Sequence, residues 1–357
     1  MRVTGLTRAA GIAAGALLAS SVLVPQALAG GEAGELRLRD LGFMIVGADT
    51  EAQPDGTLNV MNQMFVTYML PSEKTHQFPL VLVHGGGGQA SDWMGTPDGR
   101  DGWADYFVAA GFDVYLVDRP GYGRSPTNPS CGELGGPANT GFISQLAQSD
   151  PTLWPGGEPT PTNEAVIGWA ATSPAGPYCG DEIAARDIAL LLEQIGPAIL
   201  VAHSAGGGST FPAADAASDK VAGIIAFEAA GSNPVGTGFG NIAGQLTWEP
   251  ALPAGFMPAD DNGCQTQGGD APSQLPNWTF PVVLVGSAGP FGVEAGMQCS
   301  VSAWQQAGVD ASYVYLPSAG HPGGGHFSMA QLDSADIAQT FIDIATDIEM
   351  RTSTAAP

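Results

Sequence analysis

The stretch that most constrains this chain is Ile199 to Ser209, which reads Ile-Leu-Val-Ala-His-Ser-Ala-Gly-Gly-Gly-Ser. Ile199-Leu200-Val201-Ala202 has the unbroken apolar character of a strand buried on both faces, and the residues beyond Gly206 can open a helix. Between them lies a tight turn with Ser204 at its tip. A serine on such a strand-to-helix elbow is held in a strained backbone conformation, and bulky neighbours two positions away would strike the strand or the helix. Ala202 and Gly206 meet that need, alanine standing where glycine is usual. The pentapeptide alone also suits an ordinary turn with a surface serine, so the rest of the chain has to discriminate.

Of the 357 residues, 1–29 are expected to be a signal peptide. Arg2 and Arg8 give a positive start, Gly11 to Val24 an apolar stretch, and Ala27-Leu28-Ala29 a small-residue cleavage site. The apolar stretch is too short for a comfortable membrane span, so the expected product is exported, secreted or periplasmic, with no membrane attachment after cleavage. Without Arg2 and Arg8 the formal charge goes from -24 to -26. That balance repels nucleic acid and anionic membrane surfaces, and serves chiefly to keep an exported protein soluble. Cys131, Cys179, Cys264 and Cys299 are an even set without metal-ligand spacing, and two disulfides are expected. All three pairings stay open; Cys131 with Cys179 and Cys264 with Cys299 would each staple an insertion locally.

In chain order, Leu36 to Val46 and Leu58 to Leu70 read as an antiparallel edge hairpin around Pro54-Asp55-Gly56. The buried strand Pro79 to Val83 ends in His84 and the four glycines 85–88, which leave backbone N–H groups free to face a ligand; no nucleotide-cradling motif follows. A helix over 103–110 and a strand over 112–117 come next, the strand closing on Asp-Arg-Pro-Gly-Tyr-Gly-Arg-Ser, 118–125. From 126 to 180 periodicity disappears and nine of the 28 prolines occur; with two tryptophans and two cysteines this reads as part of a cap. A second irregular insertion, 231–279, joins it. Between and after them come a helix (181–195), the elbow strand, strands over 221–227, 281–285 and 312–316, and helices over 292–306 and 333–348. This alternation gives an α/β architecture, a mainly parallel sheet covered by helices on both faces.

A serine nucleophile needs a base within hydrogen-bond reach and an acid to orient that base. Of five histidines, His76 precedes the core strands, His84 lies at the glycine loop, and His203 is read as pointing away behind the elbow. Only His321 and His326 follow the last strand. His326, after Gly323-Gly324-Gly325, is the preferred base, with His321 as a supporting or pocket residue. The loop after the next-to-last strand, 286–291, is the usual place for the acid and holds no carboxylate. Glu228, ending an apolar strand beside the elbow, is therefore the preferred acid, because burying an unpaired carboxylate there would be costly; Glu294 is the alternative.

Together the elbow, the His-Gly-Gly loop, the 118–125 segment and the late histidine resemble the α/β-hydrolase superfamily over about 78–348. A glutamate 24 residues after the serine and a Gly-x-x-His-x-x-Met ending are similar to a small group of secreted bacterial carboxylesterases, the 713 esterase family. That resemblance implies Ser204 as nucleophile, His326 as base, Glu228 as acid, and the Gly86 and Ala205 N–H groups as oxyanion donors. The adjacent cysteines associated with that family's first member near the oxyanion loop are glycines here. The expectation is a serine carboxylesterase acting on small to medium esters, without metal or organic cofactor, since no ligand cluster stands at coordination spacing. The same triad suits an amidase, a peptidase or a polyester-degrading hydrolase. A non-catalytic binding module would usually have lost a triad member. A homodimer is compatible with the sequence.

Overall fold

The apolar runs expected to be buried strands lie side by side in the middle of one sheet. The computed structural model describes residues 33–355 apart from 134–135, 148–149, 174–175, 177, 270–271 and 290; the expected signal peptide, 1–29, lies outside the described residues. The strands are β1 (Leu38–Val46), β2 (Asp49–Ala52), β3 (Leu58–Met61), β4 (Met64–Pro71), β5 (Leu80–Val83), β6 (Val114–Asp118), β7 (Ala198–His203), β8 (Val221–Phe227), β9 (Ala259–Asp261), β10 (Cys264–Thr266), β11 (Val282–Gly286) and β12 (Ala311–Tyr315). The helices are α1 (Trp103–Ala109), α2 (Thr140–Leu146), α3 (Glu164–Thr172), α4 (Asp181–Ile195), α5 (Gly207–Ala216), α6 (Glu294–Gln306) and α7 (Ser334–Ala355).

The main sheet runs β1-β4-β6-β5-β7-β8-β11-β12. β4 pairs antiparallel with β1 and β6, and all other neighbours are parallel. Every residue of β5, β7, β8 and β11 is buried, as strands sandwiched between helix layers must be. Leu200 and Ala202 of β7 pack with Ile188 and Leu192 of α4 and Phe211 of α5. Ile199 and Val201, on the other face, join Trp103 of α1 and Phe341 of α7. From β5 the chain steps out to β6, then crosses to β7 on the opposite side and moves away through β8, β11 and β12. That reversal of direction opens a crevice at the C-terminal ends of β5 and β7, the place where such sheets receive ligands.

Two expectations are corrected. The N-terminal stretch is not one hairpin: β2 and β3 form a small hairpin around Pro54-Asp55-Gly56, and β1 pairs with β4 beyond it. Nor is 126–180 without regular structure. Asn139 and Asn163 cap α2 and α3, each side-chain oxygen accepting a backbone N–H of the first turn, at 2.8 Å from Gly141 and from Ala165. Short capped helices among prolines leave too little periodic pattern to read. Trp154 and Trp169 are buried there. Cys131 pairs with Cys179 across this insertion, and Cys264 pairs with Cys299, tying β10 to α6. The first insertion borders the loop that follows β12: Leu332 N–H donates to Leu153 O at 2.7 Å, and Trp169 packs on Phe327, ring centroids 5.2 Å apart. The second insertion reaches the same place at one remove: its Phe239 stacks with Phe291 of the loop after β11, which packs edge-on against His326 at 4.9 Å. Among the described residues, no helix is long and apolar enough to cross a membrane.

Candidate active site

Ser204 follows β7 directly with φ +50°, a left-handed conformation that costs a non-glycine residue about 1–2 kcal/mol. Its surroundings explain the small neighbours. A Cβ at Gly206 would stand 2.6 Å from His84 O and 2.8 Å from Val83 O, and one at Gly207 would stand 2.0 Å from Ala230 O. These obstacles are backbone, which cannot step aside as a side chain can. A Cβ at Gly85 would likewise come within 2.9 Å of Ser204 Cβ, so the glycine loop lies directly against the elbow.

The loop after β12 brings His326 back to this point. His326 Nε2 lies 3.0 Å from Ser204 Oγ, and its Nδ1 lies 2.5 Å from Glu228 Oε2. A carboxylate only accepts, so Nδ1 carries the ring proton and Nε2 is free to take one from the serine. The buried Glu228 sits at the end of β8, itself left-handed with φ +42°. Its other oxygen accepts from Ser287 N–H at 3.1 Å and from the Ser287 hydroxyl. Ser287 occupies the loop after β11, the usual place for a triad acid, and serves instead as donor to the carboxylate on the neighbouring strand. A Cβ at Gly292 would fall 2.2 Å from Glu228 Oε1, so glycine there makes room for the carboxylate.

His203 departs from expectation. Its ring turns toward the site, 4.6 Å from the ring of His326, and its Nε2 donates to His326 O at 2.9 Å. Burial, then the neighbouring His326, holds its pKa well below the ordinary histidine value, so it acts as a neutral prop for the His326 backbone. Gly86 and Ala205 meet at the crevice, a Cβ on Gly86 lying 3.3 Å from Ala205 Cβ, and the Gly86 N–H has no backbone acceptor among the described residues. Just beyond the glycine loop, Asp92 is buried, and desolvation raises its pKa to about 7.

Three other sequence candidates stand elsewhere. His321 Nε2 meets Thr340 Oγ1 of α7 at 2.9 Å and makes no hydrogen bond to Ser204, Glu228 or His326 among the described residues, so its reading as a pocket residue gains no support. Glu294 opens α6 and accepts from the Tyr313 hydroxyl at 3.3 Å. His76 pairs with Glu349. A cavity of about 730 Å³ between α4 and α5 is lined by none of Ser204, His326 and Glu228. The hydroxyl, imidazole and carboxylate thus form one hydrogen-bonded line across strand ends far apart in the chain. Such a line can pass a proton from the hydroxyl to the ring while the carboxylate balances the resulting charge.

Comparison with known proteins places this geometry in context. The family described as alpha/beta hydrolase fold matches residues 79–260, which is 182 of the 357 residues. The protein named "Probable secreted lipase phiG" from Fungal sp. (strain ATCC 74256) is 28% identical over 310 residues, covering 78% of this chain and 84% of its own length. A solved structure described as a novel bacterial esterase at atomic resolution superposes with a TM-score of 0.67 at 19% identity, covering 90% of this chain and 100% of that one. At that identity the likeness is one of fold.

Proposed function

From the premise that this chain belongs to the alpha/beta hydrolase fold family, we propose that it is a secreted serine carboxylesterase acting on small to medium esters through Ser204, His326 and Glu228. The observation that carries the reading is the continuous line from Ser204 Oγ to His326 Nε2 at 3.0 Å and from His326 Nδ1 to Glu228 Oε2 at 2.5 Å. His326 takes the hydroxyl proton as Ser204 attacks the ester carbonyl. The tetrahedral oxyanion is received by the N–H groups of Gly86 and Ala205. His326 then passes the proton to the leaving alcohol, and an acyl-serine remains. Water, deprotonated by the same imidazole, attacks the acyl carbon; the bond to Ser204 Oγ breaks, the imidazolium returns its proton to Oγ, and the carboxylic acid leaves. Glu228 stays ionised throughout, holding the ring tautomer and balancing the imidazolium.

Two insertions walling the crevice support small and medium substrates over open polymer surfaces. Both disulfides support an oxidising, exported setting. A longer acyl chain is the second reading. The exposed rings of Phe291, beside His326, and of Phe239, stacked on Phe291, favour it, as does the relative named a secreted lipase.

The test is a fluorophosphonate probe with mass mapping, run beside hydrolysis of p-nitrophenyl acetate, butyrate and palmitate. We expect stoichiometric labelling of Ser204, abolished turnover after labelling, and acetate or butyrate ahead of palmitate. Palmitate ahead would favour the lipase reading. Label on another residue, or no ester turned over, would sink the proposal.

A further inference from the structure

The peptide joining Gly85 to Gly86 is gripped from behind. The Gly85 carbonyl oxygen accepts from Arg119 Nη2 at 2.8 Å, from His84 Nδ1 at 2.8 Å and from Gly88 N–H at 3.3 Å. In a trans peptide the N–H points opposite to the carbonyl. Whatever fixes the Gly85 oxygen therefore also aims the Gly86 N–H, one of the two oxyanion donors proposed above.

His84 can donate there because its other nitrogen is occupied. The Arg119 backbone N–H donates to His84 Nε2 at 3.1 Å, which leaves the ring proton on Nδ1. Burial, then the Arg119 charge, keeps the imidazole pKa well below the ordinary value, so this arrangement persists as a neutral ring.

The Arg119 side chain is only 1% exposed. Its guanidinium lies 5.0 and 4.8 Å from the ring centroids of Tyr122 and Tyr178, donates through Nη1 to the Tyr178 hydroxyl at 3.1 Å, and reaches Ala205 O at 3.4 Å. Asp181, at the start of α4, is its carboxylate partner at 3.5 Å. Taking a cation out of water is costly unless it is well bonded and paired, and here the charge is directed at the backbone of both the glycine loop and the elbow.

We propose that Arg119 is a positioning residue for the oxyanion hole, its guanidinium orienting the Gly85–Gly86 peptide and polarising it so that the Gly86 N–H binds a negative oxygen more strongly than a neutral one. The inference rests on the serine-esterase reading. Hydrogen bonds in series strengthen one another, and a cation at the carbonyl end adds little for a neutral ester carbonyl but more once full charge develops. The loss on removal should therefore fall on kcat rather than KM.

The experiment compares wild type with Arg119→Lys, Arg119→Met and Tyr178→Phe, the last removing the hydroxyl that receives Nη1 and itself donates to Asp181 Oδ1 at 2.5 Å. Readouts are kcat and KM for p-nitrophenyl butyrate, inhibition by butylboronic acid as a tetrahedral adduct on serine, and thermal unfolding. Removal of a whole oxyanion donor costs about 10²–10³ in kcat, so Arg119→Met should lose about 10²-fold. Arg119→Lys should lose roughly 10-fold and Tyr178→Phe roughly 3-fold. KM should stay within about twofold, and boronate affinity should fall in parallel with kcat. If the Arg119 variants do not fold, Tyr178→Phe decides by the same parallel. Unchanged kcat and boronate affinity in the folded variants would overturn the inference and leave the esterase reading intact. So would a fall in both that tracks unfolding alone. A wild type that neither hydrolyses esters nor binds the boronate would end both.

Discussion

Ser204 and Glu228 stand at the C-terminal ends of adjacent parallel strands, β7 and β8, and share an uncommon backbone. Among the described residues four non-glycine residues have left-handed φ; two are asparagines, which tolerate it, and the other two are Ser204 and Glu228. The two turns are also joined, since Ala230 N–H donates to Ser204 O at 2.7 Å. They are held differently. Ser204 is kept in place by what surrounds it, through close backbone packing against Gly206 and Gly207. Glu228, whose N–H donates to Val285 O at 2.9 Å, is in addition kept by its own side chain, through Ser287 and His326. One strained turn thus presents a reactive group from a tightly packed frame, while the other is secured by the bonds its carboxylate makes.

The sharpest way to break this comparison is to remove each side chain's chemistry while keeping its shape. Ser204→Ala should lower kcat by about 10⁴-fold or more, and Glu228→Gln by about 10³-fold with KM little changed. Steady-state turnover of p-nitrophenyl butyrate measures both. Glu228→Gln activity within tenfold of wild type would remove Glu228 from the acid role. Ser287→Ala leaves the Ser287 N–H on Glu228 Oε1 but deletes the hydroxyl. Supporting hydrogen bonds of this kind are commonly worth about 10-fold, and a loss of that size in kcat, with unchanged fluorophosphonate stoichiometry, is expected.

Much of this arrangement could be read in advance, for identifiable reasons. β7 and β8 are continuous apolar runs, α4 carries its stripe at helical spacing, and the elbow advertises itself because its strain demands small residues nearby. Glu228 was legible only through the mismatch of a carboxylate ending an apolar strand. Its left-handed turn left no mark, since no glycine stands there. Ser287, His203 and Arg119 were missed as working residues because serine after a strand, a histidine beside the elbow and an arginine in a turn acquire roles only when distant loops meet. A signal for Ser287 did exist: a polar residue at the usual acid position is a natural donor to an acid supplied from the neighbouring strand.

A stability measurement separates the two modes of support. Glycine adopts left-handed φ without penalty, so Ser204→Gly should raise stability by about 1 kcal/mol while abolishing activity. Glu228→Gly relieves the same backbone strain but leaves His326 Nδ1 and Ser287 without their acceptor. Unpaired buried donors cost about 1–3 kcal/mol each, and a net destabilisation of about 2 kcal/mol is expected. Urea unfolding of the two variants beside wild type checks the opposite signs; equal signs would mean that both turns are held by one mechanism.

The comparison extends to a carboxylate that lacks what Glu228 has. Asp92 is 5% exposed and lies near Asp118 and Arg119, and the donation it receives at the Gln89–Asp92 turn does not offset its burial. Its pKa of about 7 lies above the ordinary value of 3.8, with desolvation as the leading cause. A group raised in this way stabilises the fold fully below about pH 4, and that contribution is lost as the pH rises through 7. Asp92→Asn cannot ionise, so its melting temperature should match wild type near pH 4 and exceed it increasingly toward pH 8, there by the equivalent of about 4 kcal/mol. Parallel melting curves of the two proteins across pH 4–8 would mean that Asp92 is ionised and adequately solvated in the fold, and that buried carboxylates here do not depend on donors such as those Ser287 gives Glu228.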